Sequence, residues 1–330
     1  MDIGSFKAFQ ITQKEGQHSA DFKKLRIDNL TDGEIIIKVH FSSINYKDSM
    51  AALGKAPILR KSPLVGGIDL SGEIVASQDT NFRAGQQILV TGCGLSELYD
   101  GGYAEYARVK AESIIQVPEN LDLFKTMALG TAGFTVSLAM QSLIDNRQNP
   151  EDGPILVTGA TGGVGSYSVD ILNKMGYEVV ALTRKKEATS YLKEIGAHKV
   201  IFPDELDINK RALNKTLWAG AIDNLGGNTL SWVLTNIKQN GNVISIGRAQ
   251  NENFSTTVMP FIIRGINLLG VTSANCKKPE REKAWEKLSK EYLPNHIETI
   301  ASKIIEFDDL PIHFKKMLDS SVIGRTVVKI

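Results

Sequence analysis

The sequence predicts an α/β chain in two parts, a β-rich, barrel-like N-terminal module followed by a doubly wound parallel sheet. Three observations predict it. Short strand-like runs alternate with glycine-rich turns before residue 130. After residue 150 short apolar strands alternate with segments of helical spacing. A glycine-rich loop joins the first of those strands to the first of those helices. The expected division places residues 1–128 in the first domain, with 301–330 returning to it, and residues 129–300 in the second.

In the first part Thr31-Asp32-Gly33 is a turn signal. Ile35, Ile37, Val39 and Phe41 then fall on one face at period two, opposite Lys38 and His40, which is the pattern of a half-buried strand. Further strand-like runs follow at Ser71–Ala76, Gln87–Thr91, Tyr103–Val109 and Ser113–Val117, with Gly66-Gly67, Gly72, Gly85 and Gly101-Gly102 between or within them. In the second part Ile155–Thr158 is an apolar strand. Val164, Tyr167, Ser168, Ile171, Leu172 and Met175 recur at helical spacing and Gly176 ends that helix. Strands are expected at Glu178–Leu182, Lys199–Phe202, Ala219–Asp223, Asn242–Ile246 and Ile266–Val271, with a helix around Tyr191, Leu192 and Ile195. Ala284, Trp285, Leu288 and Tyr292 line one face of a charged helix, and Thr326–Ile330 reads as a strand returning to the first module.

Composition narrows the function. Lys+Arg number 38 and Asp+Glu 37, a net charge of +1, which argues against nucleic acid or an anionic membrane as the main partner. Cys93 and Cys276, the only cysteines, cannot build a four-thiolate zinc site or a disulfide framework, and read as free thiols in a reducing compartment. The five histidines show no two-histidine helical metal spacing. Met1–Lys7 lacks a basic region followed by an apolar core, and no apolar run reaches the ~18 residues of a membrane span. A soluble, cytoplasmic protein is expected.

The segment Gly159-Ala160-Thr161-Gly162-Gly163-Val164-Gly165 carries the strongest local chemistry. Glycine lets the backbone turn tightly against a diphosphate, and the helix that follows offers unpaired N–H groups and a positive dipole end. Ala160 stands where the strict G-x-G-x-x-G pattern has its first glycine. Thr158 ends the strand before the loop. At the tip of the next strand an NAD site has an acid for the ribose hydroxyls, but here stand Thr183, Arg184 and Lys185, followed by Lys186. Arginine binds a 2′-phosphate through paired N–H bonds where a carboxylate would repel it, so the expected cofactor is NADPH.

Ser43–Asp48, Gly67–Gly72, Gly101–Tyr106 and the phosphate loop, together with the two-module plan, resemble the medium-chain dehydrogenase/reductase superfamily over essentially the whole chain. Ala128–Thr135, Trp218–Asp223 and Thr257–Ile262 resemble its quinone-oxidoreductase-like branch, which contains acryloyl-CoA reductases. The resemblance implies a GroES-like first domain, a Rossmann second domain and a homodimer. Zinc-dependent members carry a Cys ligand and a Gly-His-Glu where this chain has Asn45 and Gly67-Ile68-Asp69, and the four-cysteine lobe is missing, so the resemblance implies a zinc-free reductase. Tyr46 stands where the family places a tyrosine between nicotinamide and substrate, and is the candidate catalytic residue. Thr131, Asn224, Gly247, Arg248, Thr272, Ser273 and Arg325 occupy positions near the family's cofactor crevice. Lys47 and Asp48 remain open between a role in the site and holding the loop. The expected activity is hydride transfer from NADPH to the C=C bond of a small enoyl thioester. The alternatives are an NADPH:quinone reductase and a cofactor-binding module without turnover.

Overall fold

The computed structural model describes residues 3–14, 17–208 and 211–330; Met1 and Asp2, part of the N-terminal segment read above, lie outside the described residues. In chain order the elements are β1 (Phe6–Lys14), β2 (Gln17–Leu25), β3 (Ile35–Ser43), α1 (Tyr46–Ala52), β4 (Leu64–Val65), β5 (Asp69–Ser77), β6 (Gln87–Thr91), β7 (Tyr106–Val109), β8 (Ile115–Gln116) and α2 (Leu123–Asp145). There follow β9 (Ile155–Thr158), α3 (Gly163–Lys174), β10 (Val179–Leu182), α4 (Thr189–Glu194), β11 (Lys199–Ile201), β12 (Trp218–Asp223), α5 (Gly227–Asn236), β13 (Ile237–Ser245), α6 (Met259–Arg264) and β14 (Asn267–Gly270). The last elements are α7 (Lys278–Ser289), α8 (Ile297–Ile300), β15 (Lys303–Glu306), α9 (Leu310–Leu318) and β16 (Thr326–Lys329).

Two compact units emerge. The first holds Met1–Thr131, Ser273–Ser289 and Ala301–Ile330; the second holds Ala132–Thr272 and Lys290–Ile300. The return of the C-terminus to the first unit is direct, because β16 pairs antiparallel with β3. One stretch departs from the expected division, since Ser273–Ser289 sits with the first unit rather than within a continuous 129–300. The cause is local bonding. On α7, Arg281 is 2% exposed and its guanidinium donates to the carbonyls of Glu112 and Ser113. The segment after it is held in the second unit, where buried Asp170 accepts the amides of Asn295 and His296. Tyr292, expected on the same helical face as Trp285 and Leu288, is therefore buried in the other unit.

The first unit contains a three-stranded sheet, β2-β1-β4, and a larger one ordered β15-β16-β3-β5-β6-β8 with β7 also on β3. Alternation on β3 turns Ile35, Ile37 and Val39 into a core with Leu70, Ile74, Ile88 and Val90. Phe41 leaves this core, because the pairing with β5 shifts register between Val39 and Phe41; it packs edge-on against Phe124 instead. A second core joins Phe9, Ile11, Tyr103 and Phe314.

The second unit is a six-stranded parallel sheet ordered β11-β10-β9-β12-β13-β14. The chain enters at β9, runs outward through β10 and β11, then returns to lay β12 beside β9. That reversal makes a switch point at the carboxyl ends of β9 and β12, where open parallel sheets bind ligands. Leu230, Val233 and Leu234 of α5 pack on Leu156, Val180, Ala221 and Val243. No described strand pairs with the outer edge of β14. Beside it in sequence, α6 exposes Ile262 (68%) and Ile263 (57%).

Helix α2 is strongly apolar. By length and composition it could cross a bilayer, but 72% of its most apolar window is buried inside the protein, as a core helix would be. It bends at Gly130, whose φ of +49° lies outside the helical region.

Candidate functional site

Two clusters of chemistry-bearing residues form, one in each unit. In the first unit the loop from Ser43 to Asn45 leads into α1, with Tyr46 as the first helical residue. Asn45 caps this helix: the Asp48 carboxylate accepts from the Asn45 backbone N–H at 2.9 Å and from its side-chain amide at 3.1 Å. Asp48 thus has a holding role, and its other oxygen accepts the Ile68 amide at 3.0 Å. Burial, then the neighbouring Asp69, pushes the Asp48 carboxyl up to about 7.

Beneath this loop lies a buried polar network. Asp69, fully buried, accepts from Ser43 Oγ at 2.6 Å, Asn45 Nδ2 at 2.8 Å and the Thr131 amide at 3.0 Å, and also from the Thr131 hydroxyl. Arg325, 3% exposed, donates to Ser43 Oγ at 2.7 Å, Asn45 Oδ1 at 2.9 Å and the carbonyls of Ile44 and Ala128. Its Nη2 stands 3.7 Å from Asp69. Tyr103 donates to the Ser43 carbonyl at 3.0 Å, and its burial raises its phenol well above the ordinary range. Gly130 fits because a Cβ there would lie 2.5 Å from Arg325 Nη2 and 2.8 Å from Asp69 Oδ2. The network therefore fixes the backbone on which Tyr46 stands, while Tyr46 itself is 44% exposed.

The second unit builds a different surface at its switch point. Thr158 Oγ1, at the end of β9, donates to Asp223 Oδ1 at 2.7 Å. Asn224 closes the pair, its backbone N–H donating to Thr158 Oγ1 at 3.0 Å and its side-chain amide to the Thr158 carbonyl at 2.8 Å. These two predicted cofactor residues thus lock the ends of β9 and β12 together. Gly247 lies against the Asn224 carbonyl so closely that a Cβ would overlap it.

The loop from β9 into α3 has the shape a diphosphate requires. A Cβ on Gly165 would overlap the Gly159 carbonyl, and one on Gly162 would meet only that oxygen, at 3.5 Å. The space beside Gly162 is thereby open, the amides of Ala160 and Gly162 are held by the Leu182 and Gly159 carbonyls, and Gly163, Val164 and Gly165 open the helix with first-turn N–H groups. The residues fit the cofactor that the fold implies.

At the tip of β10, Thr183 is buried, its hydroxyl 3.5 Å from that of Thr161 and accepting the Lys185 amide at 3.1 Å. Arg184 is exposed. Burial, then the adjacent Arg184, lowers the Lys185 ammonium from its usual range. Lys186 turns away to Asp204 at 2.8 Å.

The remaining predicted residues divide. Tyr46, Thr131, Ser273 and Arg325 belong to the first unit. Thr272 is exposed and Arg248 is ion-paired with Glu252 four residues on, both in the second unit. Ser43 and Tyr103 were not anticipated as site residues. A buried serine and a buried tyrosine carry no spacing signal, and only the sheet register brings them to Asp69 and Arg325.

A zinc ion does not fit the first cluster. Asn45 stands where zinc-dependent members have a ligand, yet both ends of its amide are spent on Asp48, Asp69 and Arg325. A guanidinium already neutralises the carboxylate there. Among the described residues no group of three His, Cys, Asp or Glu is placed to hold a metal.

Residues 31–119 match the alcohol dehydrogenase GroES-like domain model and residues 163–290 the zinc-binding dehydrogenase model. A probable acrylyl-CoA reductase, AcuI of Escherichia coli, is 41% identical over 98% of this chain and 99% of its own. The putative quinone oxidoreductase YhfP of Bacillus subtilis is 39% identical over 98% of this chain and 99% of its own. A crystal structure of Bacillus subtilis yhfP with NAD bound superposes with a TM-score of 0.94 over 99% of this chain and 100% of that one. The yhdH oxidoreductase of Salmonella enterica, solved with NADP, is 40% identical with a TM-score of 0.94, covering 98% of this chain and 99% of its own.

Proposed function

Because this chain belongs to the medium-chain dehydrogenase/reductase superfamily, in the branch of acrylyl-CoA reductases and quinone-oxidoreductase-like proteins, we propose that it is an NADPH-dependent, zinc-independent reductase of the C=C bond in a small α,β-unsaturated acyl thioester. One observation carries the reading. Where a zinc-dependent member would coordinate a metal, Asn45 is saturated by Asp48, Asp69 and Arg325, and the next residue presents an exposed phenol. Without a metal to activate a carbonyl, the electron-poor C=C bond is the easier acceptor.

When bound, NADPH supplies the hydride. The rest falls to the chain's own residues. The amides of the Gly159–Gly165 loop hold the diphosphate, and Thr183, Arg184 and Lys185 hold the adenosine ribose with its 2′-phosphate. Reduction at Cβ of an enoyl thioester builds negative charge on the thioester oxygen and requires a proton at Cα. Tyr46 provides the O–H for this, as hydrogen-bond donor or as proton donor. The network of Asp69, Arg325, Ser43 and Asn45 holds Tyr46 in place before substrate arrives, which removes reorganisation from the reaction step.

The test follows NADPH absorbance with acryloyl-CoA, crotonyl-CoA and a panel of quinones. Oxidation with the thioesters is expected, and oxidation with quinones alone would overturn the reading in favour of a quinone reductase. Tyr46→Phe keeps the ring and loses the O–H. It is expected to lower kcat by about 100-fold, the scale for losing one donor to a developing oxyanion, while sparing NADPH affinity. Unchanged turnover would remove Tyr46 from the mechanism.

A homodimer fits the same reading. The open edge of β14 offers an unpaired ladder, and Val258, Ile262 and Ile263 leave apolar surface exposed beside it in sequence. Light scattering should give twice the 36.1 kDa mass of the chain; a single-copy mass would exclude pairing at this edge.

A further inference from the structure

We propose that a basic patch on the first unit, built from Lys47, Arg60, Lys61 and Lys110 around Glu97 and Tyr99, binds the nucleotide phosphates of a coenzyme A thioester and so selects that substrate over a quinone. The inference rests on the proposed function, which supplies the enoyl thioester as substrate, and adds where its distal end is held.

The patch begins beside the candidate catalytic residue. Lys47 follows Tyr46 on α1, and its ammonium pairs with Glu97. The other oxygen of Glu97 faces Arg60 Nε at 3.9 Å. Lys61 and Lys110 then flank Tyr99, their ammonium groups 5.8 Å and 4.7 Å from its ring centroid. Two cations thus meet the Glu97 carboxylate and two more lie over the neighbouring Tyr99 ring, drawn from three separate segments. Glu34 and Glu112 also lie near Lys110 and, with Glu97, offset part of this charge, leaving a small positive excess. In a chain of net charge +1 such a concentration is unevenly placed.

The segment presenting Glu97 and Tyr99 is rigid. Cys93 and Ser96, neither of them glycine, have φ of +53° and +60°, and Gly92 and Gly94 lie in the same left-handed region. Such conformations are strained for residues with a Cβ and persist where surrounding bonds over-determine them. Those bonds are present. Ser96 donates its amide to the Tyr99 carbonyl at 2.7 Å, Leu98 and Tyr99 donate theirs to the Gly94 carbonyl, and the amides of Arg60 and Lys61 donate to the Glu97 carbonyl at 2.8 and 3.2 Å. The loop carrying Arg60 and Lys61 is therefore stitched to the one carrying Glu97 and Tyr99. Arg60 and Lys61 are nonetheless exposed, so they are open to an anion.

The chemistry distinguishes substrates. A coenzyme A thioester carries a diphosphate and a 3′-phosphate at the far end of a flexible pantetheine arm. A quinone carries no phosphate. Cations gathered on adjoining, hydrogen-bonded loops are suited to phosphate groups, and arginine adds paired N–H bonds.

The test uses the full chain saturated with NADP⁺, so that the phosphate loop of the second unit is already filled. Coenzyme A and phosphate-free pantetheine are titrated by calorimetry into the parent and into Arg60→Ala/Lys61→Ala/Lys110→Ala. The parent should bind coenzyme A, the variant about tenfold or more weakly, with weakening of the parent by added salt. In steady state the variant should raise KM for acryloyl-CoA by a similar factor with kcat held, and leave KM for acryloyl-pantetheine where it was. Lys315→Ala/Lys316→Ala, which removes two charges from α9, should change none of these. Unchanged coenzyme A binding in the triple variant overturns the patch even if acryloyl-CoA is reduced. Turnover of quinones alone overturns the proposed function, while the calorimetric comparison still decides whether the patch binds the nucleotide.

Discussion

Arg325→Ala is expected to lower the free energy of unfolding by about 3–5 kcal/mol, the range for removing one partner of a buried ion pair. Arg325 is 3% exposed and Asp69 fully buried, and Ser43 Oγ bridges them, donating to the carboxylate at 2.6 Å and accepting from the guanidinium at 2.7 Å. Removing the guanidinium leaves Asp69 with neutral donors only, in a pocket that already contains Asp48. It also strips a donor from Asn45 Oδ1 and from the carbonyls of Ile44 and Ala128. Each buried acceptor left unpaired adds its own desolvation cost. The same change should lower kcat, because the freed loop carries Tyr46.

A companion substitution separates charge from shape. Asp69→Asn in the Arg325→Ala background removes the uncompensated carboxylate and should recover part of the lost stability, since the asparagine oxygen still accepts from Ser43 and Thr131. Chemical denaturation of the parent, both single variants and the double variant closes the cycle. Were Arg325→Ala within about 0.5 kcal/mol of the parent, the scale of an ordinary surface substitution, the buried pair would not be holding this loop.

The second unit was largely legible in the sequence, and the reason is physical. Its strands are buried on both faces and read as short apolar runs, so Ile155–Thr158 appears in the structure with the bounds expected. Its loop announces itself because Gly165 packs where no Cβ fits. Helix α2 was less legible. It is apolar on nearly every side, so no helical stripe stands out against the rest. The β1–β2 hairpin was passed over because β2 is mostly exposed and its alternation is weak, as in Gln17–Leu25. The site in the first unit was legible only in part. Tyr46 is proposed through resemblance, and Asp48 stands open between capping and chemistry until the structure shows its bonds to Asn45 and Ile68. The pairing of Asp69 with Arg325, 256 positions apart in the chain, depends on β16 crossing back to β3. Arg325, which the resemblance sets near the cofactor crevice, is 3% exposed, and its guanidinium bonds to the Ser43–Asn45 loop.

Arg184→Ala is expected to weaken NADPH binding by roughly 10- to 100-fold and NADH binding by less than about twofold, the scale of one lost charge-assisted, two-bond contact to a phosphate. The two cofactors differ only at the adenosine 2′ position, so the argument reduces to the tip of β10. There Thr183 is buried against Thr161, Lys186 is spent on Asp204, and Lys185 is disfavoured as a cation by burial and by Arg184 beside it. A doubly charged phosphate beside them would favour the charged form of Lys185. Arg184→Lys keeps a point charge but loses the fork, and should fall between parent and alanine. Raising the salt concentration should narrow the gap between the cofactors in the parent and leave it nearly unchanged in the variant, because the contact lies at the surface. Equal, small losses for both cofactors would refute the assignment. The relatives make the choice of position pointed: solved structures at 40% and 38% identity hold NADP in one case and NAD in the other, on folds that superpose equally well on this chain. The diphosphate is identical in the two cofactors, so a phosphate loop does not discriminate between them, and the prediction therefore rests on the proposed contact of exposed Arg184 with the adenosine ribose.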